Sequence, residues 1–291
     1  MKYSFITQQK NTYPVRLMCK TLGVSRNGYY HYAKVTSQKQ DLEREALREL
    51  VVEISKDNDR TYGSRRVKEA LRAKGHCVGR HKARNLMEEA CVSVLTKKKF
   101  KVTTDSAHSL PLFDNVLNRE FAVGRANRAY VGDITYIWTN EGWLYLAVVI
   151  DLFSRKVVGW SMSSRMKATL VCDALAMAIA TRETSSGLIC HSDRGSQYAS
   201  KAYRKLLSVN QFVGSMSRKA NCWDNSVAES FFGSLKQERV HWRHYQTRSA
   251  AQQDILAYIT MHYNEKRLHS YLGYVSPNEF ERQSEQLPIA A

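Results

Sequence analysis

Three β-rich runs follow one another closely and constrain what the middle of this chain can fold into. They cover residues 130–137, 143–150 and 156–161, and the segment 151–155 is short enough to be a turn. Runs joined so closely pair as antiparallel neighbours, because a parallel crossover needs a dozen or more residues. We therefore predict a three-stranded meander in this region.

Helices and strands alternate after the predicted meander. Apolar spacing predicts a helix over residues 167–181, a short buried strand at 188–191, a helix at 200–207 and a strand at 211–216. A further helix opens near residue 225, which completes the order βββαβαβα. This order predicts an α/β fold, in which a mixed five-stranded sheet is flanked by helices on both faces.

The chain is strongly basic, and the excess is unevenly distributed. Its 291 residues carry 44 Lys and Arg against 27 Asp and Glu, a formal charge of +17, and residues 1–110 hold 23 of the former and 11 of the latter. A polyanion such as nucleic acid is the partner that this charge favours. The longest charge-free apolar stretch, residues 142–150, is too short to cross a membrane. Six scattered cysteines without a C-x-x-C pair are typical of a reduced, intracellular protein.

The basic first third contains two helix–turn–helix patterns. In the first, Gly23 ends one apolar helix and Ser25 can cap the next. In the second, Ser64 can cap a helix, and a turn at Gly75 leads into a short basic helix from Arg80 onward. Such a helix suits insertion into the major groove of DNA, whereas a helical bundle with basic polar faces is the alternative. The candidate DNA contacts here are Arg65, Arg66, Arg80, Lys82 and Arg84.

These patterns divide the chain into five predicted segments. They are an N-terminal helical segment (1–40), a helix–turn–helix DNA-binding domain (41–100), a linker (101–125), the α/β core (126–240) and a C-terminal helical extension with a tail (241–291). The extension is predicted to be helical around residues 255–263 and then irregular, with Pro277 and Pro288.

Three carboxylates in the predicted core have positions that suit a ligand site. Asp133 lies within the first strand, Asp193 directly follows the strand at 188–191, and Glu229 lies on the polar edge of a helix. Oxygen ligands alone favour Mg²⁺ or Mn²⁺, and two such ions can promote phosphodiester chemistry. The structural alternative is that Asp133 and Asp193 cap a bulge and a turn while Glu229 pairs with Lys236.

Polar neighbours of the carboxylates are further candidate DNA contacts. Asn225 and Lys236 share the helix edge of Glu229, and Lys236 would face the phosphate backbone two turns further on. Arg218 and Lys219 belong to a polar segment ahead of this helix. That segment either binds DNA near the carboxylates or is a solvated loop.

Four ordered motifs carry a resemblance to a known family. They are Gly132-Asp133-Ile134-Thr135-Tyr136, the run from Tyr145 to Arg155, the run from His191 to Tyr198 and the run from Asp224 to Phe232. With thirty-five residues between Asp193 and Glu229, the chain resembles the DDE transposases of the bacterial insertion sequence three family, which are second-reading-frame products similar to retroviral integrases. Tyr62-Gly63-Ser64-Arg65-Arg66 and the run from Tyr263 to His269 extend the resemblance over nearly the whole chain.

The resemblance implies an RNase H-like integrase core whose Asp133, Asp193 and Glu229 are catalytic and hold Mg²⁺ or Mn²⁺, as two ions. It implies hydrolysis at the ends of a mobile element, followed by attack of the freed 3′-hydroxyl on a target phosphodiester. The resemblance implies three kinds of partner: double-stranded DNA, further copies of this chain on that DNA and an upstream-frame protein, fused or separate. It implies a location in the bacterial cytoplasm, at the nucleoid. An RNase H-like nuclease and a non-catalytic DNA-binding regulator are the alternatives.

Overall fold

A computed structural model describes residues 1–95, 111–218 and 222–286, with the backbone alone at residues 39–40 and 222–223. The chain forms two compact units, Met1–Val94 and Leu95–Ala291, which we call the N-terminal unit and the C-terminal unit.

The N-terminal unit is entirely helical in its regular structure. Its helices are α1 (Lys2–Gln9), α2 (Val15–Thr21), α3 (Arg26–Asp57), α4 (Ser64–Ala73) and α5 (Arg80–Glu89). Ser25 caps α3 as predicted, because its side chain accepts the Gly28 N–H at 3.4 Å. The predicted cap at Ser64 is wrong by one position, since the extended backbone of Gly63 forms the N-cap and Ser64 begins α4.

Two small clusters of buried apolar residues hold these helices together. One joins α1, α2 and the start of α3 through Ile6, Met18, Cys19 and Tyr29. In the other, the second half of α3 packs against α4 and α5; its buried members include Leu47, Val51, Ile54, Val67, Leu71, Ala83 and Leu86. The predicted segment boundary between residues 40 and 41 lies inside α3.

The C-terminal unit is built on a five-stranded sheet in the order β3-β2-β1-β4-β5. The strands are β1 (Ala129–Thr139), β2 (Gly142–Asp151), β3 (Val157–Ser163), β4 (Ile189–Ser192) and β5 (Val213–Met216). β1, β2 and β3 are antiparallel neighbours, whereas β4 is parallel to both β1 and β5. The predicted meander and the mixed five-stranded sheet are therefore confirmed.

Helices cover both faces of the sheet because apolar side chains alternate along its central strands. On one face, Val131 and Ile137 of β1 pack with α8 (Ser226–Glu238) and α9 (Arg248–Ala257). On the other face, Tyr130 and Ile134 pack with α6 (Ala168–Thr181) and α7 (Lys201–Val209). The sheet is thus the middle layer of three.

The C-terminal extension continues α9 through a π-helical turn, Tyr258–Tyr263. The prediction that the chain is irregular beyond residue 263 is wrong for residues 277–286, because Pro277 begins α10 (Pro277–Gln286). Proline is well suited to the first helical position, where its missing N–H would have no intrahelical partner. Among the described residues, the helices are too short or too polar for any of them to cross a membrane.

Candidate active site

Asp133 lies within β1, and Asp193 directly follows β4, the parallel neighbour of β1. Val131 of β1 pairs with His191 of β4. Each carboxylate lies two residues beyond its member of this pair, so the two come at the same end of the paired strands. Both residues are half-buried. Asp133 Oδ1 accepts the N–H of Ile134 at 2.8 Å, and Asp193 Oδ1 accepts the N–H of Gly195 at 2.9 Å.

Glu229 joins them from the first turn of α8, where its residue is exposed. Burial, followed by the charges of Asp193 and Glu229, raises the pKa of Asp133 well above its usual range. Burial also raises the pKa of Glu229. Among the described residues, no three His, Cys, Asp or Glu side chains are gathered closely enough to hold a metal ion. The three carboxylates therefore interact electrostatically at a wider spacing than ligands of one ion.

Lys236 supplies a positive charge beside this acidic centre. Burial lowers the pKa of Lys236, and the charge of Asp133 opposes that shift. The Lys236 Nζ also lies 5.2 Å from the centre of the Tyr136 ring. One ammonium group thus lies over an aromatic side chain of β1 and interacts electrostatically with Asp133.

Asp224, which directly precedes α8, is a fully buried carboxylate that sequence reasoning did not single out. It accepts hydrogen bonds from Arg218 Nε (3.0 Å), Arg218 Nη2 (2.9 Å), the Arg218 N–H (2.9 Å), Arg119 Nε (2.7 Å) and Asn115 Nδ2 (3.0 Å). These donors, led by the Arg218 side chain, hold the pKa of Asp224 far below its usual range. The start of α8 is therefore fixed by an ionic clamp, which we define as Asp224 with Arg218, Arg119 and Asn115.

A second set of hydrogen bonds ties the end of β4 to the segment that enters the clamp. The backbone N–H of Ser217 donates to the backbone oxygen of Ser192 at 2.9 Å, and Arg194 Nε donates to the backbone oxygen of Ser217 at 2.7 Å. His191 lies between Ser215 Oγ (2.9 Å) and Ser217 Oγ (3.2 Å). Burial lowers the pKa of His191 to about 4, so its ring is neutral at pH 7. Hydrogen bonds and the ionic clamp thus join the end of β4, which precedes Asp193, to the start of the helix that carries Glu229.

Asn225 is buried one helical turn before Glu229, with 5% of its surface exposed. Its Oδ1 has no hydrogen-bond partner in the described part of the chain. A buried acceptor without a partner is costly unless a ligand or water satisfies it. This orphaned oxygen lies on the same helix side as Glu229.

The predicted DNA contacts have different surroundings. Arg218 is engaged by Asp224, although 48% of its side chain is exposed, and Lys219 lies outside the described residues. In the N-terminal unit, most of the predicted contacts are exposed: Arg65, Arg80, Lys82 and Arg84. Arg66 is half-buried, with its guanidinium 5.4 Å from the centre of the Tyr62 ring. Arg84 pairs with Glu88 at 2.9 Å.

Family models match both units. Residues 124–222 and residues 229–284 each match a model described as an integrase core domain. Residues 42–100 match a model described as an HTH-like domain. The fold and these matches define a polynucleotidyl transferase with an integrase-type catalytic core, preceded by a helix–turn–helix-like region.

Curated relatives match over nearly the full length. The chain is 38% identical over 288 residues to the transposase InsF for insertion sequence IS3A of Escherichia coli (strain K12), which covers 98% of this chain and 99% of the relative. It is 40% identical over 272 residues to an insertion element IS600 uncharacterized 31 kDa protein of Shigella sonnei, covering 93% and 99%. The chain belongs to the transposases of the IS3 family, as its motifs predicted.

Solved structures of retroviral proteins are also similar to this chain. A chain of the simian T-cell lymphotropic virus intasome in complex with PP2A regulatory subunit B56 gamma has a TM-score of 0.49 and 17% identity, covering 77% of this chain and 73% of its own. The HTLV-2 integrase catalytic core domain in complex with magnesium (trimeric form) has a TM-score of 0.41 and 15% identity, covering 53% and 96%.

Proposed function

We propose that Asp133, Asp193 and Glu229 are the catalytic carboxylates of this transposase and that together they hold divalent metal. The observation that carries this proposal is that the charges of Asp193, at the end of β4, and Glu229, on α8, both act on Asp133 of β1, at a spacing wider than that of ligands of one ion. Like charges brought together are unfavourable unless a cation balances them. The integrase core family is metal-dependent.

The chemistry of the donor set fits Mg²⁺ or Mn²⁺. The three candidate ligands offer only oxygen, which hard divalent cations prefer. The orphaned Oδ1 of Asn225, one turn before Glu229, adds a further unsatisfied acceptor close by. Two bound ions would supply an activated attacking oxygen and stabilisation of the leaving oxygen. Asp133 would be the central member of this ligand set, because the charges of Asp193 and Glu229 both act on it.

The chain's own residues then position DNA for two successive displacements at phosphorus. In the first, a water oxygen bonds to phosphorus, the bond from phosphorus to the 3′-oxygen breaks and a 3′-hydroxyl is released at the element end. In the second, that 3′-oxygen bonds to a target phosphorus and displaces the target's 3′-oxygen. We assign to the carboxylates the orientation of the reacting groups, and to Lys236 a contact with the adjacent phosphate. Neither step needs a nucleophilic side chain.

The remaining DNA contacts belong to the same proposal. Arg65, Arg66, Arg80, Lys82 and Arg84 hold the element ends from the N-terminal unit, and Asn225 and Arg218 contact DNA close to the carboxylates, as does Lys219, which lies outside the described residues. Exposed cations on short helices are the groups that hold phosphates and read the major groove. The division of the chain into segments 1–40, 41–100, 101–125, 126–240 and 241–291 is part of this proposal. So are a homo-oligomer on DNA, an upstream-frame partner protein and a location at the bacterial nucleoid.

The test is strand joining by purified Asp133→Asn, Asp193→Asn and Glu229→Gln proteins. Each substitution keeps the shape of the side chain but removes one negative charge. We expect joining of labelled element ends in Mg²⁺ or Mn²⁺ to fall by about a thousandfold or more, because metal-held charge stabilisation supplies several kcal/mol. Asp173→Asn, at an exposed position of α6, is the matched control. Joining at the control rate by any of the three variants would refute the assignment of that residue.

A further inference from the structure

Two large aromatic side chains are exposed near the tip of the β1–β2 hairpin. Trp138 is 59% exposed and Trp143 is 43% exposed, although the two residues face each other across the hairpin. Their rings meet edge to face at 4.8 Å, and Trp143 meets Tyr136 in the same way at 5.0 Å. We propose that Trp138 and Trp143 form a stacking surface for unpaired DNA bases beside the candidate active site.

The hairpin tip is braced, so that the rings are held in place before any ligand arrives. Arg248 Nε donates to the Trp143 oxygen at 3.1 Å, and the Arg248 N–H donates to Glu141 Oε2 at 2.8 Å. The Asn140 N–H donates to the Tyr245 oxygen at 3.0 Å. A surface that is already ordered binds a ligand without the entropic cost of ordering loose side chains.

The aromatic surface reaches the acidic centre through Lys236, since Trp138 and Asp133 alternate to opposite faces of β1. Trp138 lies five residues beyond Asp133 on β1, about 17 Å along an extended strand. β4 pairs with β1 only as far as Val131 in the described part of the chain, so this stretch of β1 forms an edge of the sheet. Lys236 connects the two ends, because its ammonium group feels the charge of Asp133 and lies over Tyr136.

The size and surroundings of the surface favour a base over a protein. The exposed parts of the two indoles amount to roughly 250 Å², given the usual area of a tryptophan side chain, whereas a stable protein interface buries about 800 Å² of each partner. The flanking groups are polar or charged, among them Asn140, Arg248 and Lys236. An aromatic face beside a cation is the arrangement that binds single-stranded nucleic acid, with the base on the ring and the phosphate on the cation.

This inference rests on the proposed function, because that function makes DNA the ligand. DNA binding measured in the presence of a metal chelator tests the inference separately from catalysis. The probes are a flush-ended DNA duplex and the same duplex with a short unpaired end that carries 2-aminopurine. With the wild-type chain, we expect the 2-aminopurine fluorescence to be quenched on binding, because a stacked base loses its emission. Trp138→Ala and Trp143→Ala should each bind the unpaired end about tenfold more weakly and bind the flush duplex within twofold of the wild type.

Two control variants separate stacking from other effects. Trp138→Phe keeps an aromatic face and should retain most of the affinity, which also covers the case that the alanine variants fold poorly. Trp242→Ala removes a tryptophan that is 38% exposed elsewhere in the unit and should change neither affinity. Equal losses for both DNAs, wild-type affinity in both alanine variants, or an unquenched 2-aminopurine in the wild type would overturn the proposal. So would a dimer that the alanine variants convert to monomer without any change in DNA binding.

Discussion

The two units use their charged side chains in opposite ways. In the N-terminal unit, the candidate contacts Arg65, Arg80 and Lys82 are exposed, and ion pairs such as Lys74–Glu53 lie at the surface. In the C-terminal unit, the carboxylates of Asp224, Glu238 and Glu281 are buried or nearly so and each bonds at least one arginine. Exposed pairs contribute little to stability, whereas breaking a buried pair is costly. The first unit thus keeps its candidate contacts exposed, while the second uses arginines to fix its own geometry.

The pair of Glu238 and Arg267 shows what the buried charges do. Arg267 donates to Glu238 through Nε and Nη2, the latter at 2.7 Å, and the Tyr258 hydroxyl donates to Glu238 at 2.8 Å. Glu238 is the last residue of α8, and Tyr258 begins the π-helical turn. The far end of the helix that carries Glu229 is therefore held as firmly as its start, which the ionic clamp fixes.

The largest effect that would test this contrast is expected from Arg267→Ala. The substitution leaves Glu238 buried without its main partner, which costs about 3–5 kcal/mol of unfolding free energy. All five tryptophans lie in the C-terminal unit, so urea unfolding followed by tryptophan fluorescence reports on that unit. Arg282→Ala, which removes an exposed pair with Glu265, is the matched control and should change stability by less than about 0.5 kcal/mol. Equal effects of both variants would break the contrast.

The next largest effect is expected from Asp224→Asn. The clamp would lose its charge while keeping its shape, and a shift of about 1 Å at Glu229 is enough to slow joining about a hundredfold. Affinity for element DNA should stay within twofold, because Asp224 faces inward. Joining rates and DNA affinity, measured side by side with Asp173→Asn, check this expectation. A variant that joins DNA at the normal rate would show that the clamp does not position Glu229.

A smaller effect is expected for single cations of the N-terminal unit. Arg80→Ala and Lys82→Ala should each weaken binding of element-end DNA a few-fold. Each should also lower the slope of log affinity against log salt by about 1, because one phosphate contact releases about one counterion. Lys201→Ala, at an exposed position of α7, is the control. An unchanged slope in both variants would show that these cations serve solubility alone.

The smallest effect is expected in how the stability of the C-terminal unit changes at acidic pH. Hydrogen bonds from His262, Arg267 and Tyr258, with the charge of Arg267, hold the pKa of Glu238 below its usual range. The unfolded chain therefore takes up this proton more readily, and the stability that Glu238 contributes is present near neutral pH and lost as the pH falls. We expect the stability difference between the wild type and Glu238→Gln to shrink as the pH is lowered from about 6 to about 3. A difference that is constant over this range would contradict the assignment.

The sequence predicts the sheet but not the clamp, for a physical reason. The order of strands and helices along the chain follows from apolar periodicity, which is local, and that order places Asp133 within β1 and Asp193 just after β4. Asp224 meets Arg119 and Asn115 across 105 and 109 residues, a separation at which no periodicity carries information. The exposure of Trp138 and Trp143 is equally invisible, because alternation along a strand does not say where the covering helix stops. Pro277 was misread because a proline can begin a helix as well as end one.

The attachment of α10 has a consequence for genetics. Glu281 accepts hydrogen bonds from Arg182 Nη2 at 2.7 Å, Ser154 Oγ at 2.8 Å and Lys156 Nζ at 3.0 Å, which fastens the last helix to the sheet. A stop codon just before Pro277 would spare every proposed catalytic residue and still leave Arg182 and Lys156 without this carboxylate. We therefore expect a chain that stops before Pro277 to lose transposition activity although its proposed catalytic residues are intact.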